Sequence, residues 1–536
     1  MACTKLYGLR TTPEGNCATI GATSNAGDSM AGREWEEGAA GAVDQRVSTG
    51  NRGLDDILGG GLDAERLYLY EGHPGTGKTT LAMDFLREGA RRGERVLYIT
   101  LSETERELRL VASRHGWDLD GVEVAELMPP ESVLDESQEI TLLQPAEIEL
   151  GETTRMILDR VVAIDPTRVV IDSLSELRLL AQSPLRYRRQ VLALKQFFAN
   201  RNCTVILLDD MTSQDNDLQL HSISHGVVLL EQLAIGYGSE RRRLRVMKMR
   251  GIGFRGGYHD MKIVAGGLEI YPRLVASDHH AVFCGERAGS GNRELDALLG
   301  GGLDRGTSAL ISGAGGVGKS SLALAWAMAA AARGERSAIF VFDEGRGTIE
   351  ARARALGFDL AGALDAGLVM LQRIDPAEMS PAEFASIVCC RVENDQARVV
   401  VIDSLNGYLN AMPDGRFLIL QMHELLTYLG QQGVVTLLVA QDGMERPTEA
   451  PLDINYLSDA VLLLRYFEHG GRMRRALSVV KKRSGDHERT IREFQLGARG
   501  LVLGEPMREF SGLLSAAPAY LGGSETLLPG NGRGLD

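Results

Sequence analysis

The chain has 536 residues, 44% of them hydrophobic, and a formal net charge of −14. The acidic surplus argues against a generic nucleic-acid binder, which carries a basic excess, and no apolar run approaches the roughly 18 residues of a membrane span. The six cysteines, Cys3, Cys17, Cys203, Cys284, Cys389 and Cys390, form no C-x-x-C pair, which excludes a zinc module or disulfide frame and reads as free thiols in a reducing cytoplasm.

Residues 1–46 are rich in Gly, Ala, Ser, Thr and Glu without periodicity. This predicts a disordered N-terminal extension, with Met30 as an alternative start. The segment after Met1 has no apolar signal-peptide core. An organised region, expected over residues 47–277, opens with Thr49-Gly50-Asn51-Arg52-Gly53-Leu54-Asp55 and Gly59-Gly60-Gly61-Leu62-Asp63.

The apolar run Leu67–Glu71 predicts a strand that feeds Gly72-His73-Pro74-Gly75-Thr76-Gly77-Lys78-Thr79, a full G-x-x-x-x-G-K-[ST] loop. Such a loop turns successive backbone N–H groups toward phosphates, with glycine where a side chain would collide or φ is positive. Gly72, Gly75, Thr76, Gly77, Lys78, Thr79 and Thr80 are the candidate ATP contacts. Lys78 would reach the β/γ-phosphates and the Thr79 hydroxyl would hold Mg²⁺. The alternative is a Gly-rich turn without ligand.

Thr79–Arg92 has helical periodicity, and Arg95–Leu101 predicts the next strand. Glu103 follows it. A carboxylate there can orient or deprotonate a water or hydroxyl attacking the γ-phosphate; otherwise it is a solvated residue favoured by a helix N-terminus. The strand Val169-Val170-Ile171 ends in Asp172, a candidate Mg²⁺ ligand, with a helix cap as the alternative. A helix over Tyr187–Asn200 and a strand over Val205–Asp209 complete the alternation.

The pattern then repeats. Lys78 and Lys319 stand 241 positions apart, and a second region is expected over residues 278–511. At that spacing Ser290-Gly291-Asn292-Arg293-Glu294-Leu295-Asp296 matches the first opening segment, and Gly300-Gly301-Gly302-Leu303-Asp304 matches the glycine triplet. The second loop, Gly313 to Ser320, contributes Gly313, Gly315, Gly316, Val317, Gly318, Lys319, Ser320 and Ser321 as candidate ATP contacts. Glu344 aligns with Glu103, and Asp343 beside it is a second candidate catalytic acid where the first half has Ser102. Asp403 aligns in role with Asp172, so Ser320 and Asp403 are the second candidate Mg²⁺ pair. Strands are expected over Ala309–Ser312, Ser337–Phe342, Val399–Asp403 and Val434–Ala440. Residues 512–536 read as a flexible tail. Strands apolar throughout, alternating with helices, predict an α/β chain of two tandem domains, each a mostly parallel sheet covered on both faces. Ligands in such sheets bind beyond the carboxyl ends of the strands.

These residues resemble the KaiC family, double-domain RecA-like P-loop ATPases of the cyanobacterial clock and their bacterial and archaeal relatives. The opening segments, both loops, the Glu103 and Glu344 regions and the two Ile-Asp-Ser segments carry the resemblance. Lys248-Met249-Arg250-Gly251, Lys481-Lys482-Arg483-Ser484 and Ile491-Arg492-Glu493-Phe494 complete it, over roughly residues 46–515. The resemblance implies a homo-oligomer, a hexameric ring with ATP between subunits. It assigns Lys248, Arg250, Lys481 and Arg483 to the neighbour's γ-phosphate, where a basic finger neutralises developing charge; a solvent-facing strand end is the alternative. Arg241-Arg242-Arg243 reads as a solvated or tether-like cluster. Protein signalling partners and serine/threonine (auto)kinase activity are implied by the family alone.

The chain departs from the family pattern at two places. Of the family's Glu pair in each half it keeps only Glu103 and Glu344. Where the family's Ser-Thr phosphoacceptors stand, this chain has Asn455 and Tyr456, neither with an aliphatic hydroxyl; Thr448 and Ser458 lie nearby out of register. Two other function classes remain open. A RecA- or RadA-type DNA-dependent ATPase would be expected to carry basic Gly-rich loops or a zinc module, whereas Met211–Asp217 is acidic and polar. A non-hydrolysing nucleotide-gated scaffold is opposed by the retained Glu103, Glu344, Asp172 and Asp403.

Overall fold

A computed structural model describes residues 46–127, 145–211, 218–234, 238–278, 286–409, 415–441, 454–511 and 519–520. The expected N-terminal extension, most of the C-terminal tail, Thr448 and all but Met211 of the Met211–Asp217 segment lie outside these residues.

The first half builds a nine-stranded sheet. Its strands are β1 (Leu67–Glu71), β2 (Val96–Thr100), β3 (Val122–Glu126), β4 (Arg168–Asp172), β5 (Thr204–Asp209), β6 (Gly226–Leu233), β7 (Arg241–Met249), β8 (His259–Val264) and β9 (Gly267–Tyr271). The second half repeats it with β10 (Ser308–Gly313), β11 (Arg336–Val341), β12 (Val369–Arg373), β13 (Ala397–Asp403), β14 (Val435–Gln441), β15 (Ala460–His469), β16 (Arg472–Lys482), β17 (Ile491–Gly497) and β18 (Gly500–Pro506). The spatial orders are β3-β2-β4-β5-β1-β6-β7-β8-β9 and β12-β11-β13-β14-β10-β15-β16-β17-β18. They are the same order, strand for strand. In each sheet the first six strands pair in parallel and the last three continue antiparallel. The fold is therefore two tandem RecA-like α/β domains. The antiparallel extension was not part of the sequence expectation, because its strands are half-exposed and broken by charge, as in Arg241–Met249.

Period-2 alternation places the cores. In β1, Leu67 and Leu69 enter one buried cluster and Tyr68 and Tyr70 the other; in β13, Val399 and Val401 face one way and Val400 and Ile402 the other. Both faces of each sheet are thus covered, as apolar strands require.

The repeated opening segment acts as a lock. Asn51 caps a short helix by accepting from Leu54 N–H, and its amide donates to Leu268 O at 2.7 Å. Asn292 does the same with Leu295 N–H and Leu501 O, again at 2.7 Å. Each opening loop is thereby tied to the edge strands of its own sheet, more than 200 positions away in sequence.

The edge of the first sheet packs on the second domain. Asp260 on β8 accepts from Ala382 N–H at 3.1 Å, and Arg241 donates to Pro376 O at 2.7 Å. Arg241 is buried at 6% exposure. The expected solvated cluster is therefore corrected at that residue: its guanidinium serves the domain contact.

Candidate functional site

Both glycine-rich loops stand at the carboxyl ends of the central strands β1 and β10. Each leads into a helix, α1 (Lys78–Arg91) after the first and α2 (Lys319–Ala332) after the second. The residues preceding these helices, Gly77 and Gly318, have φ of 100° and 115°, a left-handed conformation that glycine adopts without penalty. A Cβ on Gly72 would come within 2.3 Å of Leu230 O, and one on Gly313 within 2.3 Å of Leu464 O. The loops fit against the neighbouring strand only with glycine. The free N–H groups of a helix start face the loop, a ready anion site.

In the first site the Lys78 ammonium donates to Gly72 O at 2.7 Å and His73 O at 3.2 Å, and pairs with Asp210 at 2.9 Å. The Thr79 hydroxyl donates to Asp172 at 3.0 Å, and Tyr98 donates to the same carboxylate oxygen at 2.5 Å. Burial pushes the Asp172 carboxyl above its usual range against these two bonds. Glu103 sits one turn beyond β2, its backbone held by the Thr100 hydroxyl. Burial, then the charges of Asp172, Glu107 and Asp210, raise its carboxyl above the ordinary value. Glu103, Asp172 and Asp210 thus share one field. Asp210 itself is held low: burial acts to raise it, but Lys78 and the hydroxyls of Ser173 and Ser175 overcome that.

In the second site the Lys319 ammonium donates to Gly313 O at 2.9 Å and Ala314 O at 2.8 Å. The Ser320 hydroxyl bonds to Asp403, whose carboxyl burial raises, with the charge of Glu344 acting the same way. Asp343 accepts from Ser404 at 2.7 Å. Glu344 is gripped through both oxygens by Arg352.

The four basic candidates occupy the far end of each sheet. Met249 pairs with Gly226 and Gly226 with Tyr68, so Arg250 lies at least four strand residues, roughly 13 Å, from Gly72. Lys482, Ala460 and Ala309 stand in the same relation to Gly313, with Arg483 beyond. Lys248 donates to the carbonyls of His221 and Ser224 and Arg250 to Ser222 O at 2.6 Å. Lys481 donates to Ser458 O at 2.7 Å and Arg483 to Tyr456 O at 2.9 Å. The structure thus brings together loop, hydroxyl and acids within each half and leaves the basic pairs at the opposite end.

Tyr98, Asp210 and Arg352 escaped the sequence reading. Asp210 had a signal: β5 follows the same register as β14, which pairs Glu71 with Asp209 and Ser312 with Ala440. Asp210 therefore matches Gln441, a charge difference visible once the strands are paired. Tyr98 and Arg352 carry no motif and become neighbours of the acids only through folding.

The family model described as "ATPase: KaiC" matches residues 47–275 and 288–508. The chain belongs to the KaiC family of ATPases. KaiC proteins similar to it include circadian clock protein KaiC3 of Synechocystis sp., 26% identical over 491 residues, covering 90% of this chain and 96% of that protein. Circadian clock oscillator protein KaiC of Parathermosynechococcus lividus is 27% identical over 488 residues, covering 89% and 88%. That of Synechococcus elongatus is 25% identical over 489 residues, covering 89% and 92%. Both KaiC-type halves are thus present over nearly the full length of these relatives. Among the described residues no helix is long and apolar enough to cross a membrane.

Proposed function

We propose that this KaiC-family chain binds Mg-ATP at both glycine-rich loops and hydrolyses it in a homo-oligomeric ring of six subunits. The observation that carries the reading is duplicated: in each half the hydroxyl after the loop lysine meets the strand-end carboxylate, Thr79 with Asp172 and Ser320 with Asp403. A hydroxyl beside a buried carboxylate that pays for its burial suits a hard cation with oxygen ligands. Thr79 with Asp172 and Ser320 with Asp403 would hold Mg²⁺, which when bound neutralises charge on the β/γ-phosphates. Glu103 and Glu344 would orient and deprotonate the attacking water; Asp343 supports the second site.

The family resemblance suggests the ring, and the placement of the basic pairs supports it. Lys248, Arg250, Lys481 and Arg483 point away from the loops of their own domains, where a neighbouring subunit's γ-phosphate can approach. Within this reading the two domains divide at residues 277 and 278, and the chain works in the cytoplasm. The named relatives are clock proteins; for this chain the corresponding proposal is signalling through protein partners, without nucleic acid. Serine/threonine (auto)kinase activity is carried by the family alone, and Asn455 and Tyr456 weaken it.

Binding of a fluorescent ATP analogue tests the reading. Lys78→Ala and Lys319→Ala should each lose one class of site, by about 10- to 100-fold in affinity for a lost charge-assisted contact. A double variant that binds as well as wild type overturns it.

A further inference from the structure

Lys78 and Lys319 hold the same place in the two loops, and Lys78 has a carboxylate beside it. The carboxylate of Asp210 stands 2.9 Å from the Lys78 ammonium. Together with Gly72 O and His73 O it gives all three ammonium protons an acceptor. Ser173, directly after the candidate Mg²⁺ ligand Asp172, donates to Asp210 at 3.0 Å, and Ser175 donates to it at 3.2 Å. The carboxylate is therefore fixed between the loop lysine and the magnesium side of the site, the region a terminal phosphate enters. At the matching position the second site has neutral Gln441, whose backbone N–H is held by Asn406 at 2.8 Å.

We propose that Asp210 is a specificity-determining residue that sets the first site against the γ-phosphate, lowering its preference for nucleoside triphosphate over diphosphate. This rests on the reading of both loops as Mg-ATP sites. The physical reason is a competition. Asp210 occupies the lysine contact that the γ-phosphate needs, and its own negative charge repels that phosphate at close range, where a partly desolvated like-charge pair is poorly screened. A diphosphate ends one phosphate short and meets less of either effect. Gln441 presents an amide at the matching position and no net charge of its own.

The test uses the full chain carrying Lys319→Ala, so that only the first site reports. Dissociation constants are measured for Mg-ADP and for a non-hydrolysable Mg-ATP analogue, with Asp210 native and with Asp210→Asn or Asp210→Gln. The analogue-to-ADP affinity ratio should rise by about tenfold, equivalent to about 1.4 kcal/mol, in both variants. In the Lys78→Ala chain, Gln441→Asp should lower that ratio at the second site. Circular dichroism and cooperative thermal unfolding serve as the check that each variant is folded. A ratio that does not move, or analogue binding that weakens in the Asp210 variants, overturns the role of Asp210 while leaving the nucleotide sites standing. Absence of any nucleotide binding by the folded Lys319→Ala chain would remove both readings together.

Discussion

Arg352 holds Glu344 through both carboxylate oxygens, and the position 241 residues earlier is Val111, which is exposed. Glu103 therefore has no such partner from its helix, and its carboxyl is raised by burial and by neighbouring acids. A guanidinium that holds both oxygens of a carboxylate proposed to orient the attacking water keeps it turned from that water. In a Lys78→Ala background, Arg352→Ala should raise ATP turnover by about tenfold, equivalent to about 1.4 kcal/mol of barrier. Arg352→Ala combined with Glu344→Gln should abolish the gain. Unchanged turnover in the single variant would show that the pair opens freely when nucleotide binds.

The position of the basic pairs predicts an assembly-dependent ATPase. With a saturating non-hydrolysable ATP analogue the chain should scatter light as a hexamer, because a ligand bound across subunits favours the assembled state. With the proposed trans role, Arg250→Ala or Arg483→Ala should lower turnover at its own class of site by about a thousandfold or more. Each variant should still bind nucleotide. A monomer at saturating analogue would contradict the ring.

Phosphoryl transfer to the protein should be slow beside hydrolysis. Tyr456 is half-exposed, but its phenol reaches farther than a serine hydroxyl, and a misplacement of about 1 Å can cost roughly 100-fold. Ser458 is wholly buried, its hydroxyl without a partner among the described residues. Mass spectrometry after incubation with Mg-ATP should find phosphate well below one per chain. Stoichiometric phosphate on Tyr456 would overturn this; phosphate on Ser458 or Thr448 would reveal a shifted kinase site.

Asp84 on α1 predicts a pH-dependent weakness in the first domain. Burial pushes its carboxyl up from 3.8 to about 7, with Arg87 and Asn51 only partly opposing. Between those values the folded chain keeps a proton that the unfolded chain has released. Stability therefore falls as pH rises through that window and stays reduced above it. Asp84→Asn removes the penalty. It should stabilise the protein by on the order of 1–3 kcal/mol at pH near 8 and by little at pH near 4. Thermal unfolding of both chains across that range is the check, and an equal difference in Tm at the two ends would refute the burial argument.

Much of this protein is written locally in its chain. The two loops, Lys78 and Lys319, the strand-end acids Asp172 and Asp403, and the apolar strands β1, β4, β10 and β13 announce themselves because each depends on a short run of residues with its own physical logic. The 241-residue spacing makes the duplication legible without any structure. What folding alone decided lies where residues distant in sequence meet. Tyr98 bonds to Asp172 across 74 positions, and Asp210 reaches Lys78 only because β5 pairs with β1. The antiparallel strands β7 to β9 read as charged and half-exposed, since one face packs on the sheet or on the second domain and the other meets water. The sequence by itself determined two phosphate-binding halves of one fold. Only the tertiary structure placed the Asp210 carboxylate on Lys78 and the Arg352 guanidinium on Glu344, because strand pairing and helix packing, which no local pattern encodes, choose those neighbours.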